Sequence, residues 1–319
     1  MPSEFSIIER FFSRKQSASD SGVIIGIGDD AAVIKPSPDH TLAVSVDTLI
    51  AGRHFPFQTS AANIGYKSLA VNLSDMAAMG AIAKWITLSL AIPEDDSVWL
   101  AQFSDSLFEL ADEHQLQLIG GDTVKGPLTI TIQIIGELPQ DQKLLRSGAK
   151  VGDLIVVTGT LGDAAAGLHQ LQNQEQKPDN YLLSRLNRPT PRVKAGILLR
   201  KIASSAIDIS DGLLADLGHI LEHSHVGAVI DASKIPLSSQ LQQYCTQAEQ
   251  EQNALTGGDD YELCFTISCD QLGRLHHISE QCDLPMTVIG KIIPGSQLKV
   301  ENHHLPSLPV SGFDHFKAE

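Results

Sequence analysis

Six short acidic segments, most of them directly after an apolar, strand-like run, constrain this chain more than any other feature. They are Gly28-Asp29-Asp30, Ser45-Val46-Asp47-Thr48, Ser74-Asp75-Met76, Gly120-Gly121-Asp122-Thr123, Asp208-Ile209-Ser210-Asp211-Gly212 and Gly257-Gly258-Asp259-Asp260. Because α/β proteins place their sites at strand ends, we expect these segments to lie there. Any one alone is better explained by an Asp that caps a helix or closes a turn. Six together predict a cleft where cations, most naturally Mg²⁺, offset the repulsion between carboxylates.

The charge of the chain supports this interpretation. It carries 23 Lys and Arg against 38 Asp and Glu, a net charge of −15, whereas a nucleic-acid surface needs basic clusters. Asp supplies 24 of the 38 acidic residues. Short Asp side chains in turns suit helix capping and hard-cation binding, while Glu suits solvated helix faces. We therefore expect the acidity to serve a metal site and expect no nucleic-acid partner.

The length of 319 residues predicts two domains, each able to bury its own core. The polar stretch Leu138–Gly152, with Pro139 and two glycines, is the best candidate boundary, and we divide the chain into domains 1–148 and 149–319. Apolar runs stop near twelve residues, which predicts no membrane span. The N-terminus lacks an apolar signal, and the cysteine spacings match neither a zinc pair nor a disulfide framework. We expect a cytoplasmic protein with reduced thiols.

Strand-like and helix-like segments alternate along both halves, which predicts a mixed α/β fold. The expected strands are Val23–Ile27, Thr41–Val46, Trp85–Ile92, Leu128–Ile135, Leu154–Val157, Ala228–Ile230, Tyr261–Ile267 and Thr287–Ile292. The expected helices are Ala61–Met79, Pro93–His114, Pro191–Ile202 and Gly212–His223, with an alanine-rich helix after Asp163. Several known nucleotide sites are excluded. The chain has no P-loop and no protein-kinase signature, and the acidic pair after Gly28 would repel a dinucleotide pyrophosphate.

The motifs together resemble the thiamine-monophosphate kinase family, within the superfamily of aminoimidazole ribonucleotide synthetase and selenophosphate synthetase. The matching pieces are Gly26–Asp30, Val46–Thr48 with Gly52–Phe55, Asn72–Gly80, Gly120–Thr123, Arg146–Gly148, Asp208–Gly212, Gly257–Glu262 and Gly312–Phe316. They occur in the family's order and span nearly the whole chain. The resemblance implies a two-domain α/β (α+β) fold of the aminoimidazole ribonucleotide synthetase type. In that fold the N-terminal sheet pairs across a homodimer and the C-terminal domain closes over the nucleotide.

The implied activity is ATP-dependent, Mg²⁺-dependent phosphorylation of thiamine monophosphate to thiamine diphosphate, by direct in-line transfer without a general base. By resemblance, metal ligands fall on Asp30, Ser45, the Val46 carbonyl, Asp47, Asp75, Asp122, Asp208 and Asp211, ATP contacts on Gly121, Asp122, Arg146 and Ser210, and substrate contacts on His54, Asp259 and Phe313. The chain departs from the family, which usually has Glu in place of Asp259 and often Trp in place of Phe313. The neighbouring Asp260 could take the role of Asp259 or cap the turn.

Two alternatives remain open on the sequence. One is another ATP-using member of the superfamily. Selenophosphate synthetase is disfavoured because no Cys precedes Cys245, and the hydrogenase-maturation relative because the chain ends in Glu319 where that relative has a functional Cys. The other alternative is a non-catalytic, acidic protein that binds divalent cations. It would explain the Asp segments but not the occurrence of Arg146, His54 and Phe313 at substrate positions.

Overall fold

The computed structural model describes residues 4–14 and 22–305. The described residues form two compact units: the first runs to Met76 and resumes at Ala81–Asp141, and the second comprises Ala77–Gly80 and the residues from Gln142 onward. The division at Gly148 that the sequence predicts stays a prediction. Phe313 lies outside the described residues. Among the helices that the structure describes, none is long and apolar enough to cross a membrane.

The first unit packs helices against a four-stranded sheet and also contains a separate two-stranded sheet, formed by its first two strands. Its strands are β1 (Val23–Ile25), β2 (Val33–Ile34), β3 (His40–Ile50), β4 (Ile82–Ile92), β5 (Gln117–Lys125) and β6 (Thr129–Pro139); its helices are α1 (Glu4–Ile7), continued by a π-helical turn Ile8–Phe12, α2 (Ala61–Met79) and α3 (Ser97–Glu113). The sheet order is β3-β6-β4-β5, with β4 and β5 parallel and the other pairs antiparallel. Strand β3 is therefore an edge strand.

Local chemistry explains where the helices of this unit begin. Helix α2 has the bounds that the sequence predicts, and its apolar residues, including Leu69, Leu73 and Met76, are fully buried. Helix α3 begins at Ser97, four residues later than predicted. The Asp96 carboxylate accepts hydrogen bonds from the amides of Val98 and Trp99, and this cap fixes the first turn.

The second unit is a six-stranded sheet covered on both faces. Its strands are β7 (Leu154–Thr158), β8 (Ala203–Ile209), β9 (Gly227–Asp231), β10 (Glu262–Ile267), β11 (Met286–Ile293) and β12 (Leu298–Glu301); its helices are α4 (Asp163–Gln172), α5 (Asn180–Asn187), α6 (Val193–Leu199), α7 (Leu213–Ser224), α8 (Ser239–Tyr244), α9 (Gln247–Thr256) and α10 (Leu272–Cys282), with 3₁₀ turns at Ala232–Lys234 and Cys269–Gln271. The sheet order is β12-β9-β11-β7-β10-β8.

Strand β7 shows why this sheet needs helices on both faces. Ile155 and Val157 are fully buried in one apolar cluster, which includes Leu217 of α7. Val156, between them, is fully buried in a second cluster with Leu199 of α6. Because successive strand residues point to opposite faces, a strand that is apolar throughout requires cover on both.

A buried ion-pair cluster lies at the start of β10. The Glu262 side chain is fully buried. It accepts hydrogen bonds from Thr158 Oγ1 at 2.6 Å, from Arg185 Nη2 at 2.9 Å and from Arg192 Nε at 2.7 Å. A buried carboxylate is stable only when such partners replace water. Glu262 thus ties β10 to β7, to α5 and to the segment before α6.

Replacing Glu262 with Gln should strongly destabilise the second unit. The substitution keeps the shape but removes a carboxylate that faces two nearly buried guanidinium groups, and among the described residues only Arg185 keeps a second one, Asp163 at 3.7 Å. We therefore expect a loss of about 3–5 kcal/mol in the free energy of unfolding. Urea denaturation would measure it. Glu301→Gln, at an exposed site on β12, is the matched control, expected within about 0.5 kcal/mol of the unmodified protein. Equal stabilities of the two variants would contradict a structural role for the cluster.

Candidate functional site

The six acidic segments occupy different kinds of structure, and the prediction that they lie at strand ends is wrong for three of them. Residues 45–48 lie inside β3, Asp75 lies inside α2, and Asp122 lies inside β5. For residues 45–48 the prediction failed because the β-branched neighbours Val46 and Thr48 continue the strand through these polar positions. The other three segments are loops: residues 28–30 between β1 and β2, residues 208–212 across the end of β8, and residues 257–260 before β10.

In the first unit, the structure brings together two predicted metal ligands, Ser45 and Asp75. The Ser45 hydroxyl on β3 donates a hydrogen bond of 2.5 Å to Asp75 Oδ2 on α2. Side chains alternate along β3, so Ser45 and Asp47 face the same side of the strand, whereas Val46 lies on the other side and is 57% exposed. Only the backbone carbonyl of Val46 remains a candidate ligand.

Asp122 is separated from this pair by the width of the sheet. It is exposed on β5 and lies in register with Ser89 of β4. Strands β6 and β4 lie between β3 and β5, so the backbones carrying Asp47 and Asp122 are on the order of 14 Å apart. The neighbouring Gly121 cannot be replaced without moving β4, because an added Cβ would lie 1.9 Å from the Leu88 carbonyl oxygen.

Two further predicted residues of this unit lie in turns. Asp30 is exposed in the bend after β1, and its amide donates to Asp29 Oδ1 at 2.9 Å. His54 lies in the turn after β3, where its Nδ1 accepts a hydrogen bond of 2.9 Å from the Ile50 amide. Because Nδ1 is the acceptor, the neutral ring carries its proton on Nε2. The turn therefore sets the tautomer of His54.

In the second unit, one carboxylate that the sequence analysis missed organises residues 208–212, which are the last two residues of β8 and the turn that follows and are called the 208–212 loop below. Asp216 Oδ2 accepts hydrogen bonds from the amides of Ser210, Asp211 and Gly212, at 3.0, 3.0 and 3.1 Å. Burial, together with the nearby carboxylates of Asp208 and Asp211, raises the pKa of Asp216 to about 8, although these hydrogen bonds lower it. An acidic residue in the first turn of a predicted helix was the available signal.

A second loop, residues 257–261 (the 257–261 loop), is hydrogen-bonded to the first. The Asp259 amide donates to the Ser210 carbonyl at 2.9 Å, and the Tyr261 amide donates to the Ile209 carbonyl at 2.8 Å. The Tyr261 hydroxyl donates to Asp259 Oδ1 at 3.0 Å. Asp259 and Tyr261 both have positive φ, 69° and 50°, a strained conformation for residues other than glycine. The predicted substrate residue Asp259 thus lies beside the predicted ATP contact Ser210.

Asp260 has a structural position that separates it from Asp259. It is buried, and its carboxylate accepts a hydrogen bond of 2.7 Å from the Gly162 amide, at the start of α4. A carboxylate at a helix N-terminus satisfies amides that the helix itself cannot. Of the two roles that the sequence left open for Asp260, the structure supports the cap.

Arg146, a predicted ATP contact, is exposed in a segment anchored by Ser224 at the end of α7. The Ser224 hydroxyl donates to the Arg146 carbonyl at 3.3 Å and accepts from the Gly148 amide at 3.1 Å. Within the residues that the structure describes, no three His, Cys, Asp or Glu side chains form a ready-made metal site. The structure therefore joins Ser45 to Asp75 and the 208–212 loop to Asp259, and the complete predicted site stays a prediction.

Comparisons with known proteins agree with the motifs. The AIR synthase related protein family matches over both halves, with its N-terminal domain at residues 28–138 and its C-terminal domain at residues 150–302. A curated relative from Salmonella typhimurium, named thiamine-monophosphate kinase, is 47% identical over 321 residues, covering 98% of each chain. The chain belongs to the thiamine-monophosphate kinase family. Its two-domain mixed α/β fold is the AIR synthase type.

Solved structures of the family have the same fold. The thiamine-monophosphate kinase of Stenotrophomonas maltophilia K279a is 46% identical, with a TM-score of 0.85, and the match covers 90% of this chain and 93% of that one. A complex of AaThiL with AMPPCP and TMP is 31% identical, with a TM-score of 0.79, covering 88% and 89% of the two chains. The first of these structures shares both the fold and nearly half of the residues.

Asp260 should make this member of the family less stable as pH rises. Burial raises the pKa of Asp260 to about 8, from an ordinary value of 3.8. Between these pH values the folded protein keeps a proton on Asp260 that the unfolded chain releases. The contribution of Asp260 to stability is therefore complete below pH 3.8 and is lost as pH rises through 8. The free energy of unfolding should fall by up to about 1.4 kcal/mol per pH unit.

Asp260→Asn should remove the part of the slope that Asp260 contributes, because the amide does not titrate, while the part that comes from Asp216, whose pKa is also about 8, should remain. Urea unfolding at several pH values between about 5 and 8 would measure it, with Asp283→Asn, at an exposed site, as the control for the loss of one carboxylate. Parallel stability curves for Asp260→Asn and the unmodified protein would contradict the expectation.

Proposed function

We propose that the chain transfers the γ-phosphoryl group of ATP to thiamine monophosphate, forming thiamine diphosphate and ADP. Membership of the thiamine-monophosphate kinase family supports the reaction. The observation that carries it furthest is the 2.9 Å hydrogen bond from the Asp259 amide to the Ser210 carbonyl. It joins the loop proposed to contact ATP to the loop proposed to contact the substrate, and phosphoryl transfer depends mainly on such positioning.

The acceptor explains why no general base is needed. The second pKa of a phosphate monoester is about 6, so the phosphate group of thiamine monophosphate is already a nucleophilic dianion near neutral pH. An oxygen of that monoester forms the new bond to the γ-phosphorus as the bond from γ-phosphorus to the ADP oxygen breaks, in line and without a covalent enzyme intermediate. The task left to the protein is to position two polyanions and offset their charge.

The proposed contacts form one set for ATP and one set for thiamine monophosphate. We assign ATP to Gly121, Asp122, Arg146 and Ser210, and thiamine monophosphate to His54, Asp259 and Phe313. The proton that His54 carries on Nε2 suits donation to a phosphate oxygen. Arg146 is exposed, and a guanidinium can contact two phosphate oxygens at once.

The donor chemistry of the chain fits Mg²⁺. The proposed ligands are Asp30, Ser45, the Val46 carbonyl, Asp47, Asp75, Asp122, Asp208 and Asp211, all of which offer oxygen atoms, as Mg²⁺ prefers. The separation between Asp47 and Asp122 is too large for one ion to contact both, so we propose several ions. When bound, Mg²⁺ would neutralise phosphate charge. In the chain itself, the Ser45 hydroxyl orients the Asp75 carboxylate.

We also propose that the chain forms a homodimer through β3. This edge strand is eleven residues long and has no second strand partner among the described residues. Leu42, Val44, Val46 and Ile50 share one side of it and are 42–57% exposed. A long, apolar, uncovered edge is a pairing surface. We place the dimer in the cytoplasm, with no nucleic-acid or membrane partner.

Incubation with MgATP and thiamine monophosphate tests the reaction. Thiamine diphosphate and ADP should appear in equal amounts, and free thiamine in a parallel reaction should not be phosphorylated. Asp75→Asn keeps the shape of the side chain but removes a charge that would offset Mg²⁺, so turnover should fall by about 100-fold or more with the fold intact. Rapid phosphorylation of thiamine would overturn the assignment, and a fully active Asp75→Asn enzyme would overturn the metal role.

Val44→Glu tests the dimer. A charge on the exposed side of β3 should disfavour self-association and yield a monomer, measured by sedimentation equilibrium, because burying an unpaired carboxylate costs several kcal/mol. Val98→Glu makes the same change at an exposed site on α3 and should leave the assembly unchanged. A Val44→Glu protein that still dimerises at the unmodified affinity would show that β3 is not the interface.

A further inference from the structure

Asp216 occupies an unusual position for a carboxylate of an acidic protein. It lies in the first turn of α7, is 3% exposed, and one of its oxygens accepts hydrogen bonds from three consecutive amides of the 208–212 loop. Consecutive amides at a helix N-terminus ordinarily form an anion site. Here the protein fills that site with its own side chain. The amides of residues 210–212 are therefore not donors to a nucleotide phosphate.

The backbone of Ser210 is engaged in both directions. Its amide donates to Asp216 Oδ2 at 3.0 Å, and its carbonyl accepts from the Asp259 amide at 2.9 Å. The side-chain hydroxyl is then the donor of Ser210 that can reach a phosphate. The same two bonds connect Asp216 to Asp259 through one residue. A displacement of the Ser210 backbone would move both the 208–212 loop and the 257–261 loop.

We propose that Asp216 is a positioning residue that fixes the 208–212 loop, and through Ser210 also Asp259, in the geometry that binds divalent cations and substrate. The inference rests on the proposed function for the roles of these loops. Asp216 acts as a hydrogen-bond acceptor in the right place, and its charge is secondary. Three consecutive amides of the loop donate to the same oxygen of Asp216, so the position of that oxygen fixes the position of the loop backbone.

Two substitutions separate acceptor geometry from charge. Asp216→Asn keeps an acceptor oxygen at the same reach and removes the charge; Asp216→Glu keeps the charge and displaces the acceptor by one methylene. In calorimetric titrations with Mn²⁺ as the probe, the dissociation constant of Asp216→Asn should be within about threefold of that of the unmodified protein. The dissociation constant of Asp216→Glu should be about 10- to 100-fold higher. The Michaelis constant for thiamine monophosphate should rise in the same order, because Asp259 moves with the loop.

The controls distinguish this role from others. Glu222→Ala removes an exposed carboxylate from the same helix and should change neither quantity. Melting temperatures confirm that each variant is folded. If Asp216→Glu does not fold, Asp216→Ala replaces it, with the same expected loss of Mn²⁺ affinity. A loss of Mn²⁺ affinity in Asp216→Asn but not in Asp216→Glu would show that Asp216 acts through its charge or by direct ligation. Lower stability with unchanged Mn²⁺ binding would show that its role is purely structural. Either result overturns the proposal. Because Mn²⁺ binding needs no turnover, it remains decisive even if thiamine monophosphate is not phosphorylated.

Discussion

The buried carboxylate of Glu262 is the interaction on which the second unit depends. It holds Arg185 and Arg192, which come from different parts of the helical layer, and it accepts the hydroxyl of Thr158 from the neighbouring strand. None of the three charged groups could be buried alone, because an isolated charge in a protein interior is far too costly. Together they fix the position at which β10 begins. The 257–261 loop ends at that position, so the ion-pair cluster fixes the end of the loop.

The same logic extends to the loops that carry the candidate site. Asp260 is held under the start of α4, while the residues on either side of it, Asp259 and Tyr261, adopt strained backbone conformations. Strain of this kind persists only where the surroundings over-determine it. Here the surroundings are the Glu262 cluster on one side and the backbone of the 208–212 loop on the other. An anchored, strained loop places Asp259 with little freedom, which suits a reaction that depends on positioning.

Much of the fold could be predicted from the sequence where one periodicity dominates. Helix α2 was predicted to the residue because its apolar stretch is long, and β4 was predicted within three residues at its start. Strand β5 was missed, since Gly120 and Gly121 suggest a turn. They are in fact strand residues that allow β5 to lie close to β4. Asp216 was missed for a different reason: its place in the first turn of a predicted helix is a weak signal, and its backbone amide partners are not visible in a residue pattern.

The sequence by itself determined the class of chemistry and the family, because these depend on which residue types occur and in what order. A −15 charge concentrated in Asp, and a set of acidic motifs spread over nearly the whole chain, are properties of the linear chain. Only the tertiary structure decided which of two adjacent aspartates, Asp259 or Asp260, is buried as a cap, and that Ser45 meets Asp75. Those outcomes depend on contacts between residues distant in the chain, and such contacts exist only after strands have paired and helices have packed.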